Sequence, residues 1–282
     1  MADIGKINRL RVSKIVDFGV YLDADELGEI LLPKRHVPQP CNMDEWIEVF
    51  IYRDSEDLLI ATTQNPLVMV EQCAYLKVVD VNQVGAFMDW GLPKDLFVPF
   101  SEQQQPMKPG SSYVVFVYLS DVDGRISASS KLHKFLNEES HYFDINEEVD
   151  VLISGQTDLG YKAVINNTHL GLIYKNEVRR PLHTGQKLKA YIKTIRDDNK
   201  IDLSLNPPSQ LTRDALSREI LDHLNSQGGS SALTDKSSPD AIFEQFGVSK
   251  SSYKKALGKL YKDRLILIDK NEIKLIQHSE QH

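Results

Sequence analysis

Cysteine is scarce in this 282-residue sequence. Cys41 and Cys73 are too few for a disulfide framework and, without clustered histidines, for a structural zinc site. Long hydrophobic runs are missing as well. The longest, YVVFVYL at 113–119, is too short to span a bilayer, and MADIGKINRL lacks a basic start followed by an apolar stretch. A cytoplasmic protein with no membrane association is the expectation. The signatures of hydrolytic chemistry are also lacking: no G-x-S-x-G elbow occurs, and no H-E-x-x-H or C-x-x-C spacing. GQTDLGYK at 155–162 imitates a phosphate loop but has Tyr161 where a lysine should follow the second glycine. Asp23, Asp25 and Glu26 cluster in a turn, where a solvated loop is the ordinary explanation. The residues therefore assign no catalytic group, no metal ligand and no cofactor, and the protein is expected not to be an enzyme.

What is present is an ordinary globular composition, 41% hydrophobic and 26% charged, with a net charge of −7. That charge argues against wrapping a polyanion with the whole surface, but it is unevenly spread. Residues 1–66 hold 7 basic against 12 acidic residues and residues 67–144 hold 6 against 10. Residues 145–210 hold 9 against 8, and residues 211–282 hold 11 against 10. Any polyanion is expected on the C-terminal half.

Self-comparison uncovers three copies of one pattern. VDFGVYLD at 16–23, NQVGAFMD at 82–89 and TDLGYKAV at 157–164 align on Gly19, Gly85 and Gly160. ILLPKRHV, LFVPFSEQ and GLIYKNEV follow at the same offsets, 66 and then 75 residues. A third element, at 46–62, 110–129 and 185–204, reads as strand, acidic turn and short strand. With an opening strand before each, five strands per copy suit a small Greek-key barrel of the OB kind. Glycine inside such a strand marks a bulge, which would let Phe18 and Tyr21 face one outer surface despite their three-residue spacing.

These residues resemble the S1 motif, the RNA-binding repeat of a ribosomal small-subunit protein. In that family two aromatics, a histidine, an aspartate and an arginine form one RNA-contacting face. The resemblance implies Phe18 and Tyr21 in copy one, with Pro33 in place of the histidine, Asp54, and Leu58 in place of the arginine. Copy two offers Val84, Phe87, Pro99, Asp121 and Arg125. Copy three offers Leu159, Lys162, Tyr174, Arg196 and Lys200, with Tyr161 standing in if the bulge differs by one. The physics of such a face is base stacking on exposed rings, with cations tracking phosphates. The competing explanation is that each lone ring fills a barrel core. Copy three, with Lys162, Arg179, Arg180, Lys187, Lys189, Lys193, Arg196 and Lys200, is the better RNA candidate; copy one reads as a scaffold.

After LNPPSQ the periodicity turns helical. Leu216, Ile220 and Leu224 form a one-sided stripe, followed by a Ser/Gly-rich loop to Ser238. Ser238 and Pro239 open a short helix with a stripe of Ile242, Phe243 and Phe246, stopped by Gly247. Ser249 caps a third helix, with Tyr253, Leu257 and Leu260 on one side and Lys255, Lys259 and Lys262 on the other. LILIDKNEIKLI reads as a hairpin turning at Asp269–Glu272. This is a winged helix-turn-helix, whose second helix usually enters a groove or lies along phosphates. Lys250, Lys254, Lys255, Lys259 and Lys262 crowd that helix, the alternative being a solvated or protein-binding surface.

The expected fold is mainly β with a C-terminal α/β part: S1-like OB barrels at 1–66, 67–144 and 145–210, then a winged helix-turn-helix domain at 211–282. This architecture resembles the conserved virulence factor B family. The resemblance implies a cytoplasmic, non-catalytic RNA binder acting on gene expression after transcription. Single-stranded RNA is the expected partner, with DNA or the ribosome as alternatives. The candidate RNA-binding residues are Phe18, Tyr21, Phe87, Arg125, Lys162, Tyr174, Arg179, Arg180, Lys193, Arg196, Lys200, Lys250, Lys254, Lys255, Lys259 and Lys262. Removal of Lys193 with Arg196, or of Lys255 with Lys259, is expected to weaken RNA binding without unfolding.

Overall fold

The computed structural model describes residues 2–138, 143–269 and 271–276, and of 209–213 the backbone alone. His141, His278 and His282, and Lys270 of the C-terminal turn, lie outside the described residues. Met1–Leu205 forms one compact unit and Asn206–His282 another. No helix among the described residues is long and apolar enough to cross a membrane.

The first unit holds three closed five-stranded barrels. Strands β1 (Ile7–Val16), β2 (Gly19–Asp23), β3 (Glu29–Pro33), β4 (Trp46–Arg53) and β5 (Leu59–Thr62) make the first. The second is β6 (Cys73–Val81), β7 (Gly85–Asp89), β8 (Leu96–Pro99), β9 (Ser112–Leu119) and β10 (Ile126–Ser129). The third is β11 (Glu148–Gln156), β12 (Gly160–Ile165), β13 (His169–Tyr174), β14 (Lys187–Ile195) and β15 (Ile201–Ser204). In each the first strand pairs with the second and the fourth, and the third pairs in parallel with the fifth. Strand alternation sets the cores: Leu10, Val12, Val20, Leu22, Ile30 and Leu32 point into barrel 1 while Arg9, Arg11 and Tyr21 point outward.

The repeated glycine has a different role from the one its strand position suggests. The bulges lie on the opening strands, between Val12 and Lys14, Val78 and Asp80, and Ile153 and Gly155. Gly19, Gly85 and Gly160 instead begin β2, β7 and β12, opposite Pro33, Pro99 and Tyr174. A Cβ on Gly160 would lie 2.0 Å from the Ile173 carbonyl oxygen; on Gly19 and Gly85 the corresponding distances, to Leu32 and Val98, are 2.2 and 2.4 Å. The neighbouring backbone passes where a side chain would stand. Phe18 accordingly sits in the turn before β2, so strand alternation does not govern it. Tyr161 faces the core of barrel 3 and cannot replace Lys162 on its surface.

Strands β4 and β9 are buried on both faces. In β4, Val49 and Ile51 fill barrel 1, whereas Phe50 and Tyr52 join the core of barrel 2, with Phe50 edge-on to Trp90 at 5.7 Å. In β9, Val115 and Val117 fill barrel 2, while Val114 and Phe116 join a cluster with Leu136, Leu152 and Val164. The Asn167 side-chain oxygen accepts from the Cys73 backbone N–H at 2.9 Å across the second junction. Burial pushes the Cys73 thiol up to about 12, so it is unreactive at neutral pH.

His169, at the start of β13, is buried with its ring edge-on to Phe143 at 4.9 Å and its Nδ1 2.9 Å from the Thr168 hydroxyl. Burial holds its imidazole below the ordinary value of 6.5. His36 is lowered too, by burial and then by Arg35, whose Nε donates to its Nε2 at 3.0 Å. A lowered pKa in the folded state means that the unfolded chain takes the proton first. The stability these neutral rings support is whole above pH 6.5 and is lost as the pH falls from there towards the folded values. Urea midpoints are therefore expected to fall from pH 7 to about pH 5.5, and His169→Leu is expected to shrink the drop. An unchanged drop in the variant would contradict this.

The second unit contains α1 (Ser209–Ser226), β16 (Ser230–Ser231), α2 (Pro239–Phe246), α3 (Lys250–Lys262), β17 (Ile266–Ile268) and β18 (Ile273–Leu275). Leu216, Ile220 and Leu224 are buried against Ile242, Phe246, Tyr253, Leu257 and Leu260. Ser238 and Ser249 cap α2 and α3 by accepting from the Ala241 and Ser252 N–H groups, and Gly247 ends α2 in the left-handed conformation. Two details depart from expectation. The Ser/Gly-rich loop contains β16, which adds a third strand beside β18. Phe243 is 65% exposed, because its position on the short helix α2 turns away from the side carrying Ile242 and Phe246.

Candidate nucleic-acid interface

The three copies place their candidate rings differently. In barrel 1, Phe18 and Tyr21 meet edge-on at 6.4 Å on the outer surface. The bulge is displaced, yet the two rings do share a surface. In barrel 2, Phe87 lies on β7 and packs against Phe97 of β8 at 5.3 Å. Arg125 is engaged by barrel 1: its Nε donates to Asp57 at 2.9 Å, and its Nη2 pairs with the same carboxylate oxygen.

In barrel 3, Leu159, Lys162, Leu172, Arg196 and Lys200 line a shallow depression of about 480 Å³. Arg196 spans it: Nε donates to Asp202 at 2.9 Å, Nη2 donates to the Tyr174 hydroxyl at 3.0 Å, and the guanidinium stands over the Tyr174 ring at 5.8 Å. The Arg196 and Asp202 side chains are only 32% and 13% exposed, so this pair holds the late turn in place. Lys193 pairs with Glu177, whose other oxygen accepts from the Ser204 hydroxyl at 2.8 Å; the bond to Glu177 raises the lysine further. Lys200 lies 3.5 Å from Asp198, and Lys189 lies 3.0 Å from Asp150. Among the described residues, Lys162, Arg179 and Arg180 are exposed and have no carboxylate partner.

Helix α3 buries Tyr253, Ala256, Leu257 and Leu260. The Tyr253 hydroxyl donates to the Leu233 carbonyl at 2.9 Å, and burial pushes it up to about 12. The opposite face carries Lys254, Lys255, Gly258, Tyr261 and Lys262, all exposed, with open space where a Cβ on Gly258 would be. Lys254 lies 3.7 Å from Asp235, Lys259 pairs with Asp214 of α1, and Lys250 donates to the Lys236 carbonyl at 3.3 Å. Lys255 and Lys262 have no carboxylate partner among the described residues. About half of the cations singled out by sequence are thus neutralised, and Lys193, Arg196 and Lys259 are among them. Sequence reasoning also passed over Phe97, Lys94 and Arg53 beside Arg125. Phe97 was detectable, because it alternates with the inward Leu96 and Val98.

Closed barrels in tandem with a winged helix define a protein built of nucleic-acid-binding modules. The S1 domain family matches residues 4–64 and 72–131, and the CvfB-like winged helix domain matches 218–275. The uncharacterized protein YitL of Bacillus subtilis is 28% identical over 267 residues, 90% of this chain and 87% of its own. Conserved virulence factor B of Staphylococcus aureus is 26% identical over 247 residues, 83% and 82% of the two chains. A solved multidomain protein with nucleic acid binding domains from Streptococcus pneumoniae is 24% identical, covers 97% of this chain and 98% of its own, and has a TM-score of 0.41. Over most of its length the chain is thus similar to proteins named conserved virulence factor B, and it carries two S1 domains and a CvfB-like winged helix domain.

Proposed function

We propose that this protein binds single-stranded RNA in the cytoplasm without catalysis, mainly through barrel 3 and the winged helix, and so regulates bacterial gene expression after transcription. The observation that carries the reading is the set of exposed, unpaired cations: Lys162, Arg179 and Arg180 on barrel 3, and Lys255 and Lys262 on α3. Unpaired guanidinium and ammonium groups meet phosphates without first giving up a carboxylate. Leu159 and Leu172 line the depression with Lys162 and offer apolar surface for bases. The regulatory role rests on the likeness to proteins named conserved virulence factor B, and the anionic surface of barrel 1 supports its assignment as scaffold.

Fluorescence anisotropy with oligouridylate over a salt series tests the reading. Each phosphate neutralised on a single strand contributes about −0.7 to the slope of log K against log salt, so three to five contacts give a slope of roughly −2 to −3.5. A flat salt response removes the proposal. A second reading, duplex DNA bound by the winged helix alone, draws on the lysine face of α3. Stronger binding to duplex DNA than to oligouridylate by the full chain would favour it.

A further inference from the structure

The β4–β5 turn of barrel 1, RDSED at 53–57, enters the face of barrel 2 that carries Phe87 and Arg125. Asp57 adopts a left-handed conformation with φ 68°, which aims its carboxylate at Arg125. The guanidinium gives both Nε and Nη2 to the single oxygen Oδ2, while Lys94 lies 3.6 Å from Oδ1 and also donates to the Asp54 carbonyl. Arg53 fixes the turn from behind, donating to the Asp57 carbonyl at 2.8 Å and to the Gly124 carbonyl at 3.3 Å. Arg125 holds the Asp57 carboxyl below its ordinary value, with a smaller contribution from Lys94. The groove between the barrels, about 830 Å³, has Phe87, Phe97 and Val84 along its wall. One carboxylate held by a guanidinium fork and an ammonium, beside the tilted Phe87–Phe97 ring pair, is the arrangement a nucleotide phosphate would adopt there.

We propose that Asp57 is a built-in phosphate mimic that caps a latent polyanion site on barrel 2, leaving it closed until a longer polyanion displaces the carboxylate. This rests on the nucleic-acid reading above and adds a regulated second contact to it. The chemistry permits displacement. The Arg125 and Asp57 side chains are 54% and 40% exposed, and a bridge so open to solvent is weak and yields to salt or to a polyvalent competitor. Among the described residues barrel 3 shows no such cap: Lys200, the residue aligned with Arg125, pairs with Asp198 of its own turn and with no carboxylate of another barrel.

The test is Asp57→Asn in the full chain, with oligouridylate and inorganic polyphosphate as separate probes. Asparagine keeps the size and tolerates φ near 68°, so the turn stays intact while the Asp57 charge is gone and Asp123 of Arg125's own turn, 3.7 Å from its Nε, is left unchanged. At low salt the variant is expected to bind about 3- to 10-fold more tightly, with the salt slope steeper by about 0.7 for one added phosphate contact. Adding Arg125→Gln should cancel both changes. Unchanged affinity and slope in Asp57→Asn, or a gain that survives Arg125→Gln, overturns the cap. If polyphosphate shows the gain while oligouridylate binds no variant, the cap stands and the RNA reading fails. Should Asp57→Asn fold poorly, the Arg125 Nε–H resonance of the unaltered protein decides the matter. It must shift on titration with polyphosphate, and a fixed resonance at saturation overturns the proposal.

Discussion

Gly160→Ala is expected to lower the thermal unfolding midpoint of the barrel unit by about 6–12 °C. A methyl 2.0 Å from the Ile173 carbonyl oxygen and 2.9 Å from the Tyr174 Cα meets backbone on both sides, so no rotamer change relieves it. Strands β12 and β13 have to separate at the Gly160–Tyr174 pair. Overpacking of this kind costs about 3 kcal/mol, and in a unit of this size each kcal/mol moves the midpoint by roughly 2–4 °C. The matched control is Gly155→Ala, five positions earlier on β11, where a Cβ meets nothing within 4 Å. Removing glycine's extra freedom there is expected to be neutral or to stabilise by up to about 1 kcal/mol. Scanning calorimetry of the two variants separates the close-approach explanation from a general need for glycine in barrel strands. Equal midpoints would refute it.

The largest expected loss of binding comes from Lys162→Ala, Arg179→Ala and Arg180→Ala combined. These side chains are exposed and hold no carboxylate, so stability should move by less than about 0.5 kcal/mol per site. Three lost phosphate contacts should flatten the oligouridylate salt slope by about 2 and weaken low-salt affinity by roughly 10- to 100-fold. Arg196→Ala makes the instructive contrast. It strands Asp202, whose carboxylate is 13% exposed, and releases Tyr174, so the midpoint should fall together with affinity. A triple variant that retains both affinity and slope would move the interface away from barrel 3.

Much of the architecture was legible in the sequence because it rests on local, repeated constraints. The constant offsets of 66 and 75 residues hold for the glycines and for the strands that follow, and the structure extends them to the bulges at Ser13, Val79 and Ser154. Ser238, Ser249 and Gly247 were readable as caps because capping depends on the residue itself and its next turn. The role of Gly160 was not readable, because its constraint is the carbonyl of a residue thirteen positions away. The charge pairings escaped for the same reason. Lys259 with Asp214, and Arg125 with Asp57, are brought together by packing, and composition counts each member as a separate ion. One tertiary signal was available and easy to overlook. VFIY in β4 and VVFV in β9 are unbroken apolar runs, the mark of strands buried on both faces, whereas KLKAYIKTI in β14 alternates and shows its lysines to solvent.

Those two-sided strands also bear on how the protein is made. When β4 has emerged from the ribosome at Arg53, Phe50 and Tyr52 have no full cover until β6–β10 are complete at Ser129, 76 residues later. At 5–20 residues per second that leaves a sticky flank bare for roughly 4–15 s. A nascent barrel 1 is therefore a natural client for a chaperone that shields aromatic surface, and synthesis that stalls within barrel 2 would yield an aggregation-prone fragment.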